Sequence, residues 1–276
     1  MTFSIVARSD DGTRWGVAVA SKFLAAGAVV PGVRAPIGAI ATQAFANMRY
    51  LPDGFELLEG GRSASEALDV LVAGDDGRAH RQAGIVDSSG RAATYTGDEC
   101  LDWAGGITGP GYAIQGNILA GPDVVGAMRD AYLMSADQRF ELRLHTALLA
   151  GDRAGGDARG RQSAALLIGG VGAGYGGGSD IAMDLRVDDH PDPVVELGRL
   201  MGIHALLFGS PESTLPLEGD VAGRLRNALD ALGYDEPDLE KALELAAGIE
   251  NLEERLVPGA IDPVVLDYLE ELARRS

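Results

Sequence analysis

Hairpin signatures constrain the fold of this 276-residue chain more than any other feature of its sequence. The β-rich residues 3–8 and 15–20 flank the polar run Asp10-Asp11-Gly12. A second signature lies within residues 81–96, where two β-rich runs flank a short polar loop that ends in glycine. Such loops between apolar runs are typical of antiparallel hairpins. Adjacent hairpins therefore exclude an all-parallel, doubly wound sheet.

The remaining elements are predicted in an order that suits an α+β fold. Further strands are predicted at residues 37–45, 112–119, 162–168 and 181–187. Helices are predicted from the capping box of Ser63 and Glu66 to about residue 72, and at 122–134, 137–150 and after Asp192. Hairpins come first, helices gather in the middle and strands return. This order suits two antiparallel sheets sandwiched between helical layers.

A change of composition after residue 207 predicts a second domain. Residues 209–213 have the sequence GSPES and are typical of a linker. The residues that follow show no strand pattern, and only helical periodicity at 218–232, 236–247 and 262–274. The sequence therefore predicts an α/β domain over residues 1–207 and a small helical domain over residues 208–276.

Charge and cysteine content exclude several classes of function. The net charge of −18 predicts no nucleic acid partner and no anionic membrane partner, because such binding requires local positive charge. Cys100 is the only cysteine, so no intrachain disulfide and no cysteine-based zinc site can form. No signal peptide and no membrane span are visible in the sequence, and we expect a cytoplasmic protein.

Thr2 is the first candidate for chemistry. A strand begins directly after Met1, so removal of Met1 would leave a free α-amino group beside the Thr2 hydroxyl. The hydroxyl is a nucleophile, and an amine with a pKa near ~8 can take its proton at neutral pH. Threonine is small enough for an aminopeptidase to remove the methionine before it. The alternative is an ordinary strand that happens to follow Met-Thr.

Other polar residues could assist Thr2. Ser4 shares a strand face with Thr2 and could shuttle or orient a proton, or could simply belong to a polar strand edge. Asn117 ends a buried-looking strand, where its amide could donate to an oxyanion or could serve a turn. Gln43 and Asn47 are candidates for substrate binding with the same ambiguity.

The length of the first hairpin loop decides what faces Thr2. A two-residue turn would set Ser21 opposite Thr2. A three-residue loop that ends at Gly12 would instead bring Ala20 opposite and place Lys22 on the face of Thr2. The position of Gly12 favours the three-residue loop. Lys22 could then lower the pKa of the nucleophile, or it could be a solvated lysine just past the strand.

A loop over residues 155–164 combines glycines with Arg161, Gln162 and Ser163. Glycines let the backbone approach a ligand, arginine can clamp a carboxylate, and the other two side chains can orient it. The alternative is a flexible connection between a helix and a strand. The glycine-rich residues 169–178 contain neither a Walker motif nor a dinucleotide fingerprint, so nucleotide binding there is rejected.

Several segments resemble a known family. They are residues 2–7 (TFSIVA), 16–23 (GVAVASKF), 41–47 (ATQAFAN), 115–122 (QGNILAGP), 160–166 (GRQSAAL) and 185–193 (LRVDDHPDP). These segments resemble the DUF1028 family over nearly the whole first domain. Residues 250–256 (ENLEERL) and 261–266 (IDPVVL) resemble the small helical module that follows it, which is described as peptidoglycan-binding.

The resemblance implies a fold and a chemistry. DUF1028 is grouped with the N-terminal nucleophile (Ntn) hydrolases, which implies a four-layer αββα sandwich. The chemistry of that superfamily is amide hydrolysis by a Thr, Ser or Cys at the mature N-terminus. Thr2 is the position that matches this pattern once Met1 is lost. Because cell-wall polymers are often anionic, the charge of −18 favours a packing or oligomerisation role for the tail.

Three functions are compatible with these features. The first is an Ntn-type amidohydrolase that acts on a small amide, without a cofactor, as a homo-oligomer and most simply a dimer. The second is a non-catalytic protein that binds a metabolite or a peptidoglycan fragment on the same fold. The third is metal-assisted hydrolysis through Asp188, Asp189 and His190, although the favoured interpretation of this run is a solvated strand exit before a helix cap at Asp192.

Overall fold

The computed structural model describes residues 2–275, which form mixed α/β structure with antiparallel sheets, as predicted. The strands are β1 (Thr2–Arg8), β2 (Trp15–Ser21), β3 (Pro31–Arg34), β4 (Gly38–Ala44), β5 (Arg81–Asp87), β6 (Ala92–Thr96), β7 (Gly105–Gly109), β8 (Tyr112–Asn117), β9 (Ser163–Gly169), β10 (Ile181–Val187), β11 (Leu215–Pro216) and β12 (Ala260–Ile261). The α-helices are α1 (Tyr50–Glu59), α2 (Ala64–Ala73), α3 (Asp123–Met134), α4 (Phe140–Arg153), α5 (Pro193–Phe208), α6 (Gly219–Ala231), α7 (Leu239–Glu250) and α8 (Pro263–Arg275).

Two sheets face each other in the first part of the chain. A six-stranded sheet has the order β10-β9-β2-β1-β8-β7, and a four-stranded sheet has the order β3-β4-β5-β6. β1 contacts β4 and β5 across the interface, α3 and α4 pack on the larger sheet, and α1 and α2 pack on the smaller one. Alternate strand residues fill the interface with small aliphatic side chains, among them Val6, Val17, Val19, Ala39 and Ala41.

The sequence missed three short or glycine-containing elements, α1, β3 and β7. Pro52 lies in the first turn of α1, where its lack of an N–H costs no helical hydrogen bond. Gly54 lets α1 approach β4, because a Cβ at that position would lie 2.7 Å from Cδ1 of Ile40. The predicted capping box of α2 is confirmed, with the Ser63 hydroxyl accepting from the Glu66 N–H and the Glu66 carboxylate accepting from the Ser63 N–H.

The register of the first hairpin differs from the favoured prediction. β1 pairs with β2 through Phe3↔Ala20, so the same register sets Ser21 opposite Thr2. The prediction of a three-residue loop is wrong, because residues 10–13 form a four-residue loop. The Ser9 N–H donates to the Arg14 carbonyl over 2.9 Å and closes this loop. A four-residue loop has the same parity as a two-residue turn, and it therefore puts Ser21 rather than Lys22 on the face of Thr2.

Two compact units make up the chain, Met1–Gly198 and Arg199–Ser276, and the division falls within α5. The second unit contains α6, α7 and α8, as predicted, and the very short strands β11 and β12, which the sequence did not reveal. Its core is aliphatic and includes Leu225, Leu229 and Leu243. A buried ion pair joins Arg255 to Asp262 within this unit. No helix formed by residues 2–275 is both long and apolar enough to cross a membrane.

Candidate active site

A cleft of about 560 Å³ opens where β1 begins, between the two sheets of the first unit. Its most buried polar residues are Thr2, Gln43 and Asn117, which are 6%, 1% and 2% exposed. Its walls are apolar and are formed by Ala26, Val29, Val30, Ala44 and Ile118. Around its mouth lie the larger side chains Phe23, Phe45, His80, Arg81, Glu99, Cys100, Leu101 and Arg159. The cleft therefore combines a polar floor with apolar walls.

The Thr2 side chain is held between two strands. Asn117 of β8 is its direct partner on one side. On the other side, Oγ1 of Thr2 lies 3.1 Å from Oγ of Ser21 at the end of β2, and either hydroxyl can donate this hydrogen bond. Directly paired residues share a sheet face. Thr2 thus lies within one cluster with a second hydroxyl and a carboxamide.

A network of buried amides fixes the strand that carries Thr2. Ser4 Oγ donates to Gln43 Oε1 over 2.6 Å and accepts from Gln115 Nε2 over 2.6 Å. Gln43 Nε2 donates to Gln82 Oε1 over 2.8 Å and lies 3.3 Å from the carbonyl oxygen of Thr2. Ser4 is fully buried inside this network and does not line the cleft. Its contacts suit a residue that positions Gln43.

Gln82 connects this network to Asn117. Asn117 Nδ2 donates to Gln82 Oε1 over 2.9 Å, while Gln82 Nε2 donates to the Gly116 carbonyl over 2.7 Å and to Thr96 Oγ1 over 2.9 Å. Among residues 2–275 the second N–H and the oxygen of the Asn117 amide have no partner. That amide can therefore offer one donor and one acceptor to a ligand in the cleft.

Two wall residues have a strained backbone. Ala44 has a φ of 65° and Ile118 a φ of 49°, a region that β-branched residues rarely adopt. The Ile118 N–H donates to the Leu101 carbonyl over 2.9 Å, and the Ile118 carbonyl accepts from the Ala158 N–H over 3.2 Å. Strain of this kind costs on the order of 1–3 kcal/mol and is concentrated at functional sites. This backbone supports the assignment of the cleft as a site.

Asp75 fixes one side of the mouth. Its carboxylate accepts from Arg81 Nε and from Asn47 Nδ2, each over 2.9 Å. The Arg81 guanidinium holds the pKa of the Asp75 carboxyl well below its usual range. Arg81 Nη1 also donates to the carbonyl of Phe45 over 2.7 Å. The ion pair thereby holds the backbone of Phe45 at the mouth.

The other ionisable groups at the mouth are also partnered. His80 Nε2 lies 2.8 Å from Glu99 Oε2. Arg159 Nη2 lies 3.2 Å from a carboxylate oxygen of Asp157. Burial raises the pKa of the Cys100 thiol, so this side chain stays a protonated thiol at neutral pH and is a poor nucleophile.

Lys22 lies away from the cluster around Thr2. It is exposed, follows β2 directly and does not line the cleft. Its backbone N–H donates to Oδ2 of Asp157 over 2.7 Å, which ties the end of β2 to the loop after α4. The expectation that Lys22 occupies the face of Thr2 is wrong, because the hairpin register gives that place to Ser21.

Four of the predicted substrate-binding residues also lie outside the cleft, whereas Gln43 lines it. Asn47 is engaged by Asp75. Arg161 lines a separate cleft of about 580 Å³ and pairs with Asp152 over 2.7 Å. Gln162 is partly exposed.

Ser163 has a supporting role that the sequence did not reveal. Its buried hydroxyl donates to the carbonyl of Phe23 over 2.6 Å and accepts from the N–H of Ala26 over 3.1 Å. Phe23 and Ala26 both line the cleft. Ser163 therefore fixes the segment that forms one wall rather than contacting a ligand there.

The sequence names Ser21 only as the residue that a two-residue turn would set opposite Thr2, and its predicted site residues do not include Gln82, Gln115, Asp157 and Arg159. Gln82 and Gln115 had a readable signal, since each is a polar side chain within an apolar strand. A buried amide in such a strand must find hydrogen-bond partners across the sheet interface. Arg159 belongs to the same loop as Arg161, and no pattern in the sequence distinguishes the one that reaches the cleft.

The acidic run before α5 forms local contacts. His190 Nδ1 accepts from the N–H of Asp192 over 3.0 Å, and Asp189 Oδ1 accepts from Gln162 Nε2 over 3.1 Å. Within the part of the chain that the structure describes, no three His, Cys, Asp or Glu side chains group so as to hold a metal ion. The geometry therefore gives metal-assisted hydrolysis no support.

Comparisons with known proteins match both parts of the chain. A family model described as "Family of unknown function (DUF1028)" matches residues 2–197, and one described as "Putative peptidoglycan binding domain" matches residues 206–269. No curated protein matches significantly. A DUF1028 crystal structure from Silicibacter pomeroyi is similar, with 33% identity, 74% of this chain and 86% of that chain covered, and a TM-score of 0.67. Anbu (ancestral beta-subunit) from Yersinia bercovieri shows 12% identity, coverages of 77% and 100%, and a TM-score of 0.33, too low to carry an argument.

Replacing Gln82 tests the amide network. Gln82→Leu removes the acceptor of both Gln43 and Asn117, and we expect a loss of about 3 kcal/mol in the free energy of unfolding because two buried N–H groups lose their partner. Urea denaturation measures the loss. The control is Gln138→Leu at an exposed position, with an expected change within about 0.5 kcal/mol. Equal effects of the two substitutions would contradict the assigned role.

Asp75→Asn tests the ion pair behind Phe45. We expect a loss of about 1–3 kcal/mol at pH 7. The pKa of this carboxyl is lowered by folding, so its contribution is complete above the unfolded-state pKa near about 4 and is lost as the pH falls through the folded-state value. Urea unfolding between pH 7 and about pH 3 should show the two proteins converging. Asp69→Asn, at an exposed carboxylate of α2, is the control. A difference that does not change with pH would exclude this role.

Proposed function

The chain belongs to the DUF1028 family, and from that premise we propose that it is an amide hydrolase whose nucleophile is the Thr2 hydroxyl. One observation carries the proposal. Thr2 lies at the buried end of a cleft, with its Oγ1 3.1 Å from the Ser21 hydroxyl and with the Asn117 amide on the paired strand. A nucleophile, an orienting hydroxyl and an oxyanion donor therefore meet at one place.

We propose further that the first unit is an Ntn-hydrolase-like αββα sandwich. Two facing sheets with a helix pair packed on the outer face of each support this assignment. β1 occupies an inner position of the larger sheet, so that its first residue reaches the cleft. The mechanism requires that Thr2 becomes the first residue of the mature protein. Met1 lies outside the residues that the structure describes.

The proposed reaction begins with the liberated α-amino group of Thr2. This amine accepts the proton of Oγ1, and Oγ1 attacks the carbon of the substrate's amide carbonyl. The π electron pair of that carbonyl moves onto the carbonyl oxygen, which becomes an oxyanion. The second N–H of the Asn117 side-chain amide, which Gln82 does not engage, donates to this oxyanion. When the oxyanion collapses, the C–N bond breaks and the leaving amine takes the proton. Water then hydrolyses the Thr2 ester, which releases a carboxylic acid and regenerates the hydroxyl.

The alternative is a non-catalytic protein that binds a metabolite or a peptidoglycan fragment. The match of residues 206–269 to a peptidoglycan-binding model favours this alternative. It needs no free amine, so it does not require the loss of Met1. The expectations of a cofactor-free homodimer in the cytoplasm stay predictions, and the lone Cys100 thiol fits a reducing compartment.

Thr2→Ala should abolish turnover and leave the fold intact, because it removes only the nucleophilic oxygen. Release of the amine from a panel of linear and cyclic amides measures turnover, and circular dichroism checks the fold. Thr2→Ser is the matched control, since it keeps the hydroxyl and should keep measurable activity. Unchanged turnover in the alanine variant would reject the mechanism.

The intact mass of the purified, active protein provides an independent test. We expect a mass lower than that of the full sequence by one methionine residue. While Met1 is attached, the nitrogen of Thr2 is held in a peptide bond and cannot accept the proton. Full retention of Met1 in an active preparation would contradict the proposed mechanism. Full retention without activity would favour the binding protein.

Ser21→Ala should lower kcat about tenfold, the size expected for loss of a hydrogen bond that orients the nucleophile. KM should change little, because Ser21 is placed to hold Thr2 rather than the substrate. Steady-state kinetics on the amide found in the panel separates the two constants. Ser89→Ala, at an exposed turn position, is the control and should leave both constants unchanged. A rise in KM at constant kcat would exclude the orienting role.

A further inference from the structure

We propose that the cleft at Thr2 selects uncharged amides that carry an apolar acyl group, and that it discriminates against acyl groups with a charge of either sign. This inference rests on the proposed function for the identity of the reacting bond. The selectivity itself follows from the lining of the cleft and can be measured without turnover.

The ionisable side chains at the mouth already have partners within the protein, or are uncharged. His80 pairs with Glu99, and Cys100 is a protonated thiol. The Arg159 guanidinium donates from Nε and Nη2 to the Asp157 carboxylate, which is itself 7% exposed. The positive charges of the lining are therefore balanced by fixed negative ones.

Arg81 is also hydrogen-bonded within the protein. Its Nε and Nη2 donate to Asp75 over 2.9 Å and 3.5 Å, and its Nη1 donates to the Phe45 carbonyl over 2.7 Å. Each nitrogen of the guanidinium thus has an internal acceptor. A substrate carboxylate in the cleft would lose its hydration and would have to compete with these acceptors. A substrate ammonium would also lose its hydration, and the carboxylates of Asp75 and Asp157 are already engaged by arginines.

The walls of the cleft are formed by apolar side chains. Ala26 and Val30 are 1% and 4% exposed, and they form the inner wall with Val29 and Ile118. At the mouth Phe23, Phe45 and Leu101 are more than half exposed. Large apolar side chains gathered at the opening of a cleft are typical of a ligand site, because a bound apolar group removes them from water.

Phe45 is fixed before any ligand arrives. Its N–H donates to the His80 carbonyl over 3.2 Å, and its ring lies edge-on to the His80 ring with centroids 5.6 Å apart. Arg81 binds its carbonyl from the other side. A wall that is already ordered costs less conformational entropy when the ligand binds.

The floor complements an amide. Asn117 has one N–H and one oxygen that no residue within 2–275 engages, a pair that matches a carbonyl and an N–H of a substrate amide. Long-range electrostatics adds to the selectivity, since the net charge of −18 repels anions as they approach. The floor and the walls therefore favour a neutral amide with an apolar acyl chain, and the net charge adds to the discrimination against anionic acyl groups alone.

Binding to the full-length Thr2→Ala protein tests this inference, because that variant cannot consume the ligand by the proposed mechanism. The probes are hexanamide, adipic acid monoamide and the amide of ε-aminocaproic acid, which share an amide and a similar chain and differ in terminal charge. Calorimetric titration should show hexanamide binding about tenfold or more tightly than either charged probe, as expected when a charge enters a cleft without a free counter-charge.

A pair of leucine substitutions locates the apolar contact. Leu101→Ala, in the same Thr2→Ala background, should weaken hexanamide binding severalfold. Leu133→Ala is the matched control, since Leu133 is 50% exposed on α3 and does not line the cleft. Its affinity for hexanamide should stay unchanged. Equal effects of the two substitutions would overturn the placement of the apolar group.

The outcomes separate this inference from the proposed function. Binding of a charged probe as tightly as hexanamide, or no binding of hexanamide at its solubility limit, overturns the selectivity. Preferential binding of hexanamide supports the selectivity whatever the turnover rates are. Equal turnover of amides by Thr2→Ala and by the unsubstituted protein would reject only the catalytic role of Thr2.

Discussion

Hydrogen bonds between buried amides at the sheet interface are the constraint on which the candidate site depends. Ser4 and Asn117 of the larger sheet bond to Gln43 and Gln82 of the smaller one. A buried amide without partners is costly, so these bonds fix how the two sheets lie against each other. Gly84 makes room for the network, because a Cβ there would lie 2.2 Å from Oε1 of Gln115.

The same interface explains why the first residue of β1 lies at the bottom of a cleft. β1 is flanked by β2 and β8, so both neighbours can contribute a polar side chain beside Thr2. The strained backbone at Ala44 and Ile118 then shapes the walls where the strands end. Strain at these positions is sustained by the surrounding hydrogen bonds, and it coincides with the lining of the cleft rather than with the core.

The charged side chains at the mouth of the cleft stabilise the loops around it. Asp75 and Asp157 are acceptors for backbone N–H groups as well as for arginines, so each carboxylate orders a loop and compensates a cation together. This arrangement leaves the uncharged hydroxyl and carboxamides as the groups that face a ligand. Both arginines that line the cleft are thereby paired within the protein, which agrees with the proposed discrimination against anionic substrates.

The sequence by itself determined the antiparallel hairpins, the capping box of α2 and most element positions, because turn residues and caps act over a few neighbouring residues. It also singled out Thr2, Gln43 and Asn117, which the structure brings to one cleft. Only the tertiary structure decided that Ser21 rather than Lys22 faces Thr2, and that Arg159 rather than Arg161 reaches its cleft. Loop parity and contacts between residues distant in sequence settle such choices, and neither leaves a local signal in the chain.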